Sequence, residues 1–151
     1  MALDQIERET TIAAPVERVW SLLTDPEHVN GWFTDAGAEI DLRPGGAMTM
    51  RWAEHGSVRA RVEAVEPPRR FAYRWTAHFA GQTAEPAEGN STLVEFTLTP
   101  EGDGTRLRVV ESGFDKLDTS ADEAERNHAD NSSGWTGMLE RVSDYAERVA
   151  A

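Results

Sequence analysis

SADEAERNHADNSSGWTGMLERVSDYAERVA, residues 120–150, is the stretch that decides the fold predicted for this chain. Ser120 and Glu123 have capping-box spacing, in which each side chain satisfies a free amide of the first helical turn. From Ala124 onward, residues suited to a buried face recur at helical spacings. They are His128, Asn131, Trp135, Met138, Leu139, Val142, Tyr145 and Val149. The stretch therefore predicts a long C-terminal helix, with a kink near Gly134 as an open alternative because residues 131–134 are poor helix formers.

The rest of the chain alternates with the period of β-strands and carries turn signals between the alternating segments. Strands are expected at residues 6–12, 40–42, 47–52, 57–65, 71–76, 94–98 and 106–111. Two short helices should lie between the first two strands. One begins with Pro15 as its first residue, and the second is capped by Asp25-Pro26 and ends at Asn30-Gly31.

Sequential strands joined by short turns predict an antiparallel meander, and one face of such a sheet must be covered. Only the C-terminal helix is long enough to cover it. The expected fold class is α+β. A curved antiparallel sheet of about six to seven strands, with two short N-terminal helices, would be covered by the long helix. Residues 1–151 are expected to form a single domain.

Composition excludes several classes of protein. The absence of cysteine rules out disulfides and thiolate chemistry, and the net charge of −12 disfavours nucleic acid and anionic membrane surfaces as partners. The paired arginines at 59/61, 69/70 and 106/108 are expected on solvent-facing strand surfaces. No membrane insertion is expected, and the N-terminus lacks the pattern of a signal peptide, which favours a cytoplasmic protein.

Eight short motifs, most of them turns and core aromatics, follow one another along nearly the whole chain. They are Pro15-x-x-x-Val19-Trp20, Leu23-Thr24-Asp25-Pro26, Gly31-Trp32-Phe33, Asp41-Leu42-Arg43-Pro44-Gly45-Gly46, Pro67-Pro68-Arg69-Arg70, Glu101-Gly102-Asp103-Gly104-Thr105, Ser112-Gly113-Phe114 and Gly134-Trp135. In this order they resemble the bacterial branch of the activator-of-heat-shock-ATPase homologue family, within the START-like (SRPBCC) superfamily of ligand-binding proteins. The resemblance implies a helix-grip (START/Bet v-like) fold with a deep cavity between the sheet and the C-terminal helix.

The residues show no arrangement for a catalytic nucleophile or a phosphate loop. His28, His55, His78 and His128 are scattered, so no metal, cofactor or catalytic residue is assigned. Glu111 shares the parity of Leu107 and Val109 and should point inward, where a carboxylate could act as an acid, a base or a ligand anchor.

The candidate ligand-binding residues combine that inward-facing polar group with aromatic and Met side chains at the ends of elements or on the last helix. They are Trp32, Phe33, Trp52, Trp75, Phe79, Glu111, His128, Asn131, Trp135 and Met138. Roughly half of the apolar ones are expected to be ordinary core. Trp20, Tyr73, Phe96 and Tyr145 are interpreted as core packing.

Three functions remain open at this point. The first is non-catalytic binding or carriage of a small hydrophobic molecule. The second is a cyclase/aromatase-like enzyme that uses the same pocket, with Glu111, His128 and Asn131 moving protons. The third, and least favoured, is a protein-interaction module acting on a chaperone ATPase. The chain is expected to be a monomer or a homodimer, since an exposed edge strand could pair with a second copy.

Overall fold

The computed structural model describes residues 5–54, 56–81 and 84–150. The strands are β1 (Gln5–Ile12), β2 (Ala38–Ile40), β3 (Ala47–Trp52), β4 (Gly56–Glu66), β5 (Arg70–Thr76), β6 (Ser91–Glu101) and β7 (Gly104–Ser112). The α-helices are α1 (Val16–Thr24), α2 (Pro26–Trp32) and α3 (Ala121–Ala150). Single turns of 3-10 helix span His78–Ala80 and Phe114–Lys116.

The strands form one antiparallel sheet in the order β1-β7-β6-β5-β4-β3-β2. From β2 onward each strand pairs with the next one along the chain, as the alternating segments and short turns predict. β1 closes the series by pairing with the last strand, so that Gln5 lies opposite Ser112. With α3 covering the sheet, the predicted helix-grip fold is confirmed.

The long helix begins where the capping pattern places it, because the Ser120 side chain accepts a hydrogen bond from the Glu123 backbone N–H at 3.1 Å. α3 continues through Gly134 without a break. Trp135, Leu139 and Val142 form its buried face, as the stripe predicts. Asn127 and Ala146 are also buried, although the predicted stripe omits both.

The two N-terminal helices depart from the prediction by single residues. Pro15 is the N-cap residue of α1, and the first helical residue is Val16. Asp25 caps α2 by accepting from the Glu27 backbone N–H at 3.0 Å. α2 runs to Trp32 and packs on α3 so closely that a Cβ at Gly31 would lie 2.4 Å from the ring of Tyr145.

The second strand was predicted too late in the chain. It ends at Ile40, and Leu42 is exposed, because Asp41 already belongs to a tight turn in which its carbonyl accepts from the Arg43 N–H at 2.8 Å. That turn has no room for a side chain at Gly46, where a Cβ would lie 2.0 Å from the Asp41 carbonyl oxygen.

A register shift in β4 changes which side chains face the core. Val62 pairs with Tyr73, but the next aligned residue is Ala64 opposite Ala72, so one residue of β4 is extra. Such a bulge reverses the alternation that follows it. Val65 packs against the core as a result, whereas the strict alternation of the sequence predicts Ala64 in that place.

Most of the paired arginines form ion pairs with neighbouring carboxylates, as expected for solvent-facing positions; these are Arg59, Arg61, Arg70, Arg106 and Arg108. Arg70 contacts Glu95 at 2.7 Å, and Arg106 contacts Glu101 at 2.7 Å. These partly exposed pairs contribute little stability, on the order of 0–1 kcal/mol each. No helix in the described residues is long and apolar enough to cross a membrane.

Candidate ligand-binding site

A pocket of about 130 Å³ lies between α3 and the sheet. Its lining residues are Phe33, Trp52, Trp75, Asn131, Gly134, Trp135 and Met138. The last four occupy positions i, i+3, i+4 and i+7 of α3 and therefore share one helix face. Trp52 ends β3, Trp75 belongs to β5, and Phe33 follows α2 directly.

Stacked aromatic rings form the walls of this pocket. The Phe33 ring is stacked with Trp75, at 6.0 Å between centroids, and with Trp135, at 5.7 Å. Trp75 and Trp135 stack on each other at 5.7 Å, and Trp52 meets the Phe33 ring edge-on at 5.3 Å. The Trp52 indole N–H donates to the Phe33 carbonyl at 2.7 Å, which fixes the orientation of that wall.

Glu111 lies behind these walls and is fully buried. Its Oε1 accepts from Trp135 Nε1 at 2.8 Å and from Asn131 Nδ2 at 3.1 Å. Its Oε2 accepts from Trp75 Nε1 at 2.9 Å, from Thr92 Oγ1 at 2.5 Å and from Asn131 Nδ2 at 3.0 Å. The carboxyl group is therefore an acceptor in every one of these contacts, as an ionised carboxylate is.

These contacts replace the cation that a buried carboxylate normally needs, because several hydrogen bonds to a charged acceptor offset its loss of hydration. They also hold both indole rings by their N–H edges, which fixes the orientation of the Trp75 and Trp135 rings that border the pocket. Glu111 itself is not among the residues that line the pocket. It acts on the pocket by positioning its walls.

Asn131 supplies the polarity that the pocket lining presents. Its amide nitrogen must face Glu111, because a carboxylate that only accepts cannot bond to the amide oxygen. The amide oxygen is then directed elsewhere and accepts no hydrogen bond from the described residues. The indole N–H groups of Trp52, Trp75 and Trp135 are already donated to protein atoms.

A second and much smaller space, of about 10 Å³, lies further inside the core. Its lining comprises Leu23, Val29, Trp32, Phe33, Met48, Tyr73 and Phe96. The Tyr73 hydroxyl is fully buried and has no hydrogen-bond partner among the described residues. Burial raises the pKa of Tyr73 well above its usual range, and the negative charge of Glu111 raises that pKa further.

The structure brings together most of the candidate site residues. Phe33, Trp52, Trp75, Asn131, Trp135 and Met138 line the pocket, with Glu111 behind it. Trp32 is instead a core residue whose indole N–H donates to the Leu22 carbonyl at 2.7 Å. Phe79 is 39% exposed on the 3-10 turn after β5.

His128 lies apart from the polar pair Glu111 and Asn131. Its Nε2 is 2.9 Å from the Gln5 carbonyl oxygen, and its ring meets Phe114 edge-on at 5.1 Å. It therefore links α3 to the first residue of β1 and to the 3-10 turn after β7. No three His, Cys, Asp or Glu side chains converge on a possible metal position in the described part of the chain, which does not include His55.

Sequence reasoning missed two residues of this region and one property of a third. Thr92 shares the parity of Val94 and Phe96 in β6, so a longer predicted strand would have placed it facing inward. Gly134 lies three residues after Asn131 on the same helix face, but its lack of a side chain hid it from the stripe. Tyr73 was interpreted as core, and nothing in the sequence indicates that its hydroxyl lacks a partner.

Comparison with known proteins identifies relatives of this arrangement. The model of the family described as "Activator of Hsp90 ATPase homolog 1-like protein" matches residues 13–147. No curated protein sequence matches the chain significantly. Among solved structures, protein MLL2253 from Mesorhizobium loti is similar at 25% identity and a TM-score of 0.78, with 95% of this chain and 97% of that chain covered.

Two further solved structures extend the comparison. CalU16 from Micromonospora echinospora is similar at 27% identity and a TM-score of 0.70, over 94% of this chain and 75% of that chain. DynU16, a protein in the dynemicin biosynthetic locus, is similar at 25% identity and a TM-score of 0.73. The match covers 95% of this chain but 47% of DynU16, so this chain spans about half of that protein.

Proposed function

This chain belongs to the Activator of Hsp90 ATPase homolog 1-like family, and on that premise we propose that it binds a small planar aromatic molecule in the pocket under α3. The observation that carries the proposal is a pocket walled by stacked aromatic rings whose indole N–H groups are all held by protein acceptors. Such walls offer flat apolar surface, and aromatic ligands stack on surfaces of this kind.

The volume of the pocket limits the size of the ligand. An apolar cavity of roughly 150 Å³ accommodates benzene, whereas pockets for drug-sized ligands have roughly 300–1,000 Å³. The 130 Å³ present here is close to the volume of that benzene site and therefore limits the ligand to about one six-membered ring. A long lipid chain would need a rearrangement of the walls.

The polar group in the pocket lining determines which substituent the ligand ring should carry. The free Asn131 amide oxygen is an acceptor, so the ligand that fits best carries a donor such as a phenolic hydroxyl. A net gain of about 1 kcal/mol is typical for one such hydrogen bond. Phenol is therefore the natural first probe, since it combines one ring with one donor.

The enzyme reading has less support from the same contacts. Proton transfer requires an acid or base within reach of the substrate, and Glu111 is enclosed by four donor side chains behind the pocket wall. His128 contacts Gln5 and Phe114 instead of the pocket. The chaperone-partner reading rests on the family description alone, and no contact among the described residues favours it over ligand binding.

The test uses two glycines on the same helix. A Cβ at either Gly134 or Gly137 would meet no atom within 4 Å, so a larger side chain can be added at both positions. Gly134 borders the pocket and Gly137 does not. A leucine at position 134 should obstruct the pocket, and a leucine at position 137 serves as the matched control.

Phenol is titrated into uniformly ¹⁵N-labelled protein, and the indole N–H resonances of Trp75 and Trp135 are followed. For a ligand of this size we expect a dissociation constant of about 0.1–1 mM. Gly134→Leu should weaken binding at least about tenfold, which corresponds to about 1.4 kcal/mol. Gly137→Leu should bind as the wild type does. Equal affinity in both variants, or no saturable shift in the wild type, would show that the pocket is not the ligand site.

A further inference from the structure

We propose that the Tyr73 hydroxyl is the hydrogen-bond donor of an inner subsite, occupied by the oxygen acceptor of an aromatic ligand once the Phe33 side chain moves aside. This inference rests on the proposed function, because the ligand enters through the pocket under α3. The inner subsite adds a second polar contact to the ligand, a donor where Asn131 is an acceptor. It therefore predicts that the protein can hold ligands larger than one unsubstituted ring.

The lining of the inner space is apolar except for the Trp32 indole N–H, the Tyr73 hydroxyl and the weakly accepting Met48 sulfur. The Trp32 N–H already donates to the Leu22 carbonyl at 2.7 Å. The Tyr73 hydroxyl therefore stands as the uncommitted donor of this space among the described residues.

An uncommitted buried hydroxyl is unusual, since nearly all buried polar groups in native proteins have a partner. A phenylalanine at position 73 would bury the same ring without that penalty. A ligand oxygen that accepts from Tyr73 removes the penalty and so gains more than an ordinary hydrogen bond would. Because burial and the Glu111 charge raise the pKa of Tyr73, its hydroxyl remains protonated at neutral pH and can donate a hydrogen bond to such an oxygen.

Access to the inner space depends on the Phe33 side chain. Phe33 borders both the pocket under α3 and the inner space, and is the residue that the two linings share. Its backbone is fixed, with its N–H donated to the Val29 carbonyl at 2.8 Å and its carbonyl accepting from Trp52. Its ring makes only packing contacts, so rotation about the side-chain torsions would join the two spaces without breaking a hydrogen bond.

The ligand class follows from the Tyr73 donor and from the access that Phe33 controls. One ring of the ligand lies between the aromatic walls, and an oxygen acceptor such as a ketone reaches Tyr73. Acetophenone has one ring and one carbonyl oxygen, and ethylbenzene keeps the ring and the two-carbon chain but lacks that oxygen. Comparing the effect of Tyr73→Phe on the two affinities therefore isolates the contribution of the hydrogen bond.

The experiment measures both affinities by NMR titration for the wild type, Tyr73→Phe and Tyr145→Phe. The chain contains two tyrosines, and Tyr145 is a matched control because its hydroxyl lies 2.8 Å from His28 Nδ1, outside both spaces. Tyr73→Phe removes only an unpartnered hydroxyl and should fold normally. In protein labelled with 3-fluorotyrosine, the ¹⁹F resonance of Tyr73 is assigned by its loss in Tyr73→Phe.

We expect Tyr73→Phe to weaken acetophenone binding about tenfold while ethylbenzene binding stays within about twofold. Acetophenone should also shift the ¹⁹F resonance of Tyr73, and Tyr145→Phe should change neither affinity. Equal effects of Tyr73→Phe on the two affinities, or saturable acetophenone binding that does not shift the Tyr73 resonance, would overturn the inner subsite.

Phenol distinguishes the two proposals. If phenol binds in the pocket and acetophenone does not depend on Tyr73, the subsite alone fails, and if neither probe binds, both proposals fail.

Discussion

Replacing Glu111 by glutamine tests whether the buried carboxylate holds the walls of the pocket. The two indole N–H groups approach opposite carboxylate oxygens, with Trp135 on Oε1 and Trp75 on Oε2. Glutamine offers one oxygen and one NH₂ group. Whichever way its amide points, one indole N–H faces a second donor. Asn131 and Thr92 can adapt by turning their amide or hydroxyl, whereas an indole cannot.

The expected loss can be worked out from these contacts. The Trp75 N–H has a second acceptor, Thr92 Oγ1 at 3.1 Å, so the glutamine NH₂ should point to that side. One hydrogen bond to a charged acceptor is then lost and only partly replaced, which destabilises the folded state by about 2 kcal/mol. For a chain of this size, that loss lowers Tm by about 4–8 °C.

Urea and thermal unfolding followed by tryptophan fluorescence measure this change, and near-ultraviolet circular dichroism reports the packing of the indoles. Glu63→Gln is the control, since Glu63 is paired with Arg61 at 2.9 Å on the outer face of β4. It should stay within about 0.5 kcal/mol of the wild type. A Glu111→Gln protein as stable as the wild type, or more so, would refute the reasoning, because burying the charge would then cost as much as its hydrogen bonds return.

Three further predictions concern the helix cap, the buried tyrosine and the turn before β3. Ser120→Ala removes the cap of α3 and should lower the free energy of unfolding by about 1 kcal/mol, with Ser120→Asp restoring most of it in urea denaturation. The pKa of Tyr73 is raised in the folded state. The stability that the protonated Tyr73 contributes is therefore complete below the usual tyrosine pKa of 10.0, and it is lost as the pH rises above that pKa. Denaturation midpoints should therefore fall less steeply above that pH in Tyr73→Phe than in the wild type, and identical slopes would contradict this. Gly46→Ala should destabilise the protein by about 2 kcal/mol or more, because its Cβ would lie 2.0 Å from the Asp41 carbonyl oxygen, and a midpoint equal to the wild type would contradict the turn geometry.

Local periodicity was sufficient to predict the elements that decide the fold. The capping pair at residues 120 and 123 and the helical stripe after Ala124 placed α3, and parity alone placed Glu111 inside the sheet. Parity failed where the strand itself is irregular. The bulge in β4 brings Val65 to the core in place of Ala64, and the sequence carries no sign of the extra residue.

The sequence was sufficient to predict most residues of the candidate site, but not how those residues are arranged. The aromatic walls were recognised because large rings at the ends of elements must pack somewhere, and most of them do line the pocket. Glu111, His128 and Asn131 were expected to act together because all three should face the interior. His128 instead contacts Gln5, at the beginning of the edge strand β1, apart from Glu111 and Asn131. The small size of the pocket follows from the close stacking of Phe33 with Trp75 and Trp135, which only the folded structure reveals.

The most direct test of the central claim is to locate phenol on the protein by intermolecular nuclear Overhauser effects to methionine methyl groups. The chain contains four methionines, of which Met138 lines the pocket under α3, Met48 lines the inner space and Met50 is fully buried in β3. The account predicts effects between the phenol ring protons and the Met138 methyl group, and none to Met50. Saturable phenol binding without an effect at Met138 would contradict it.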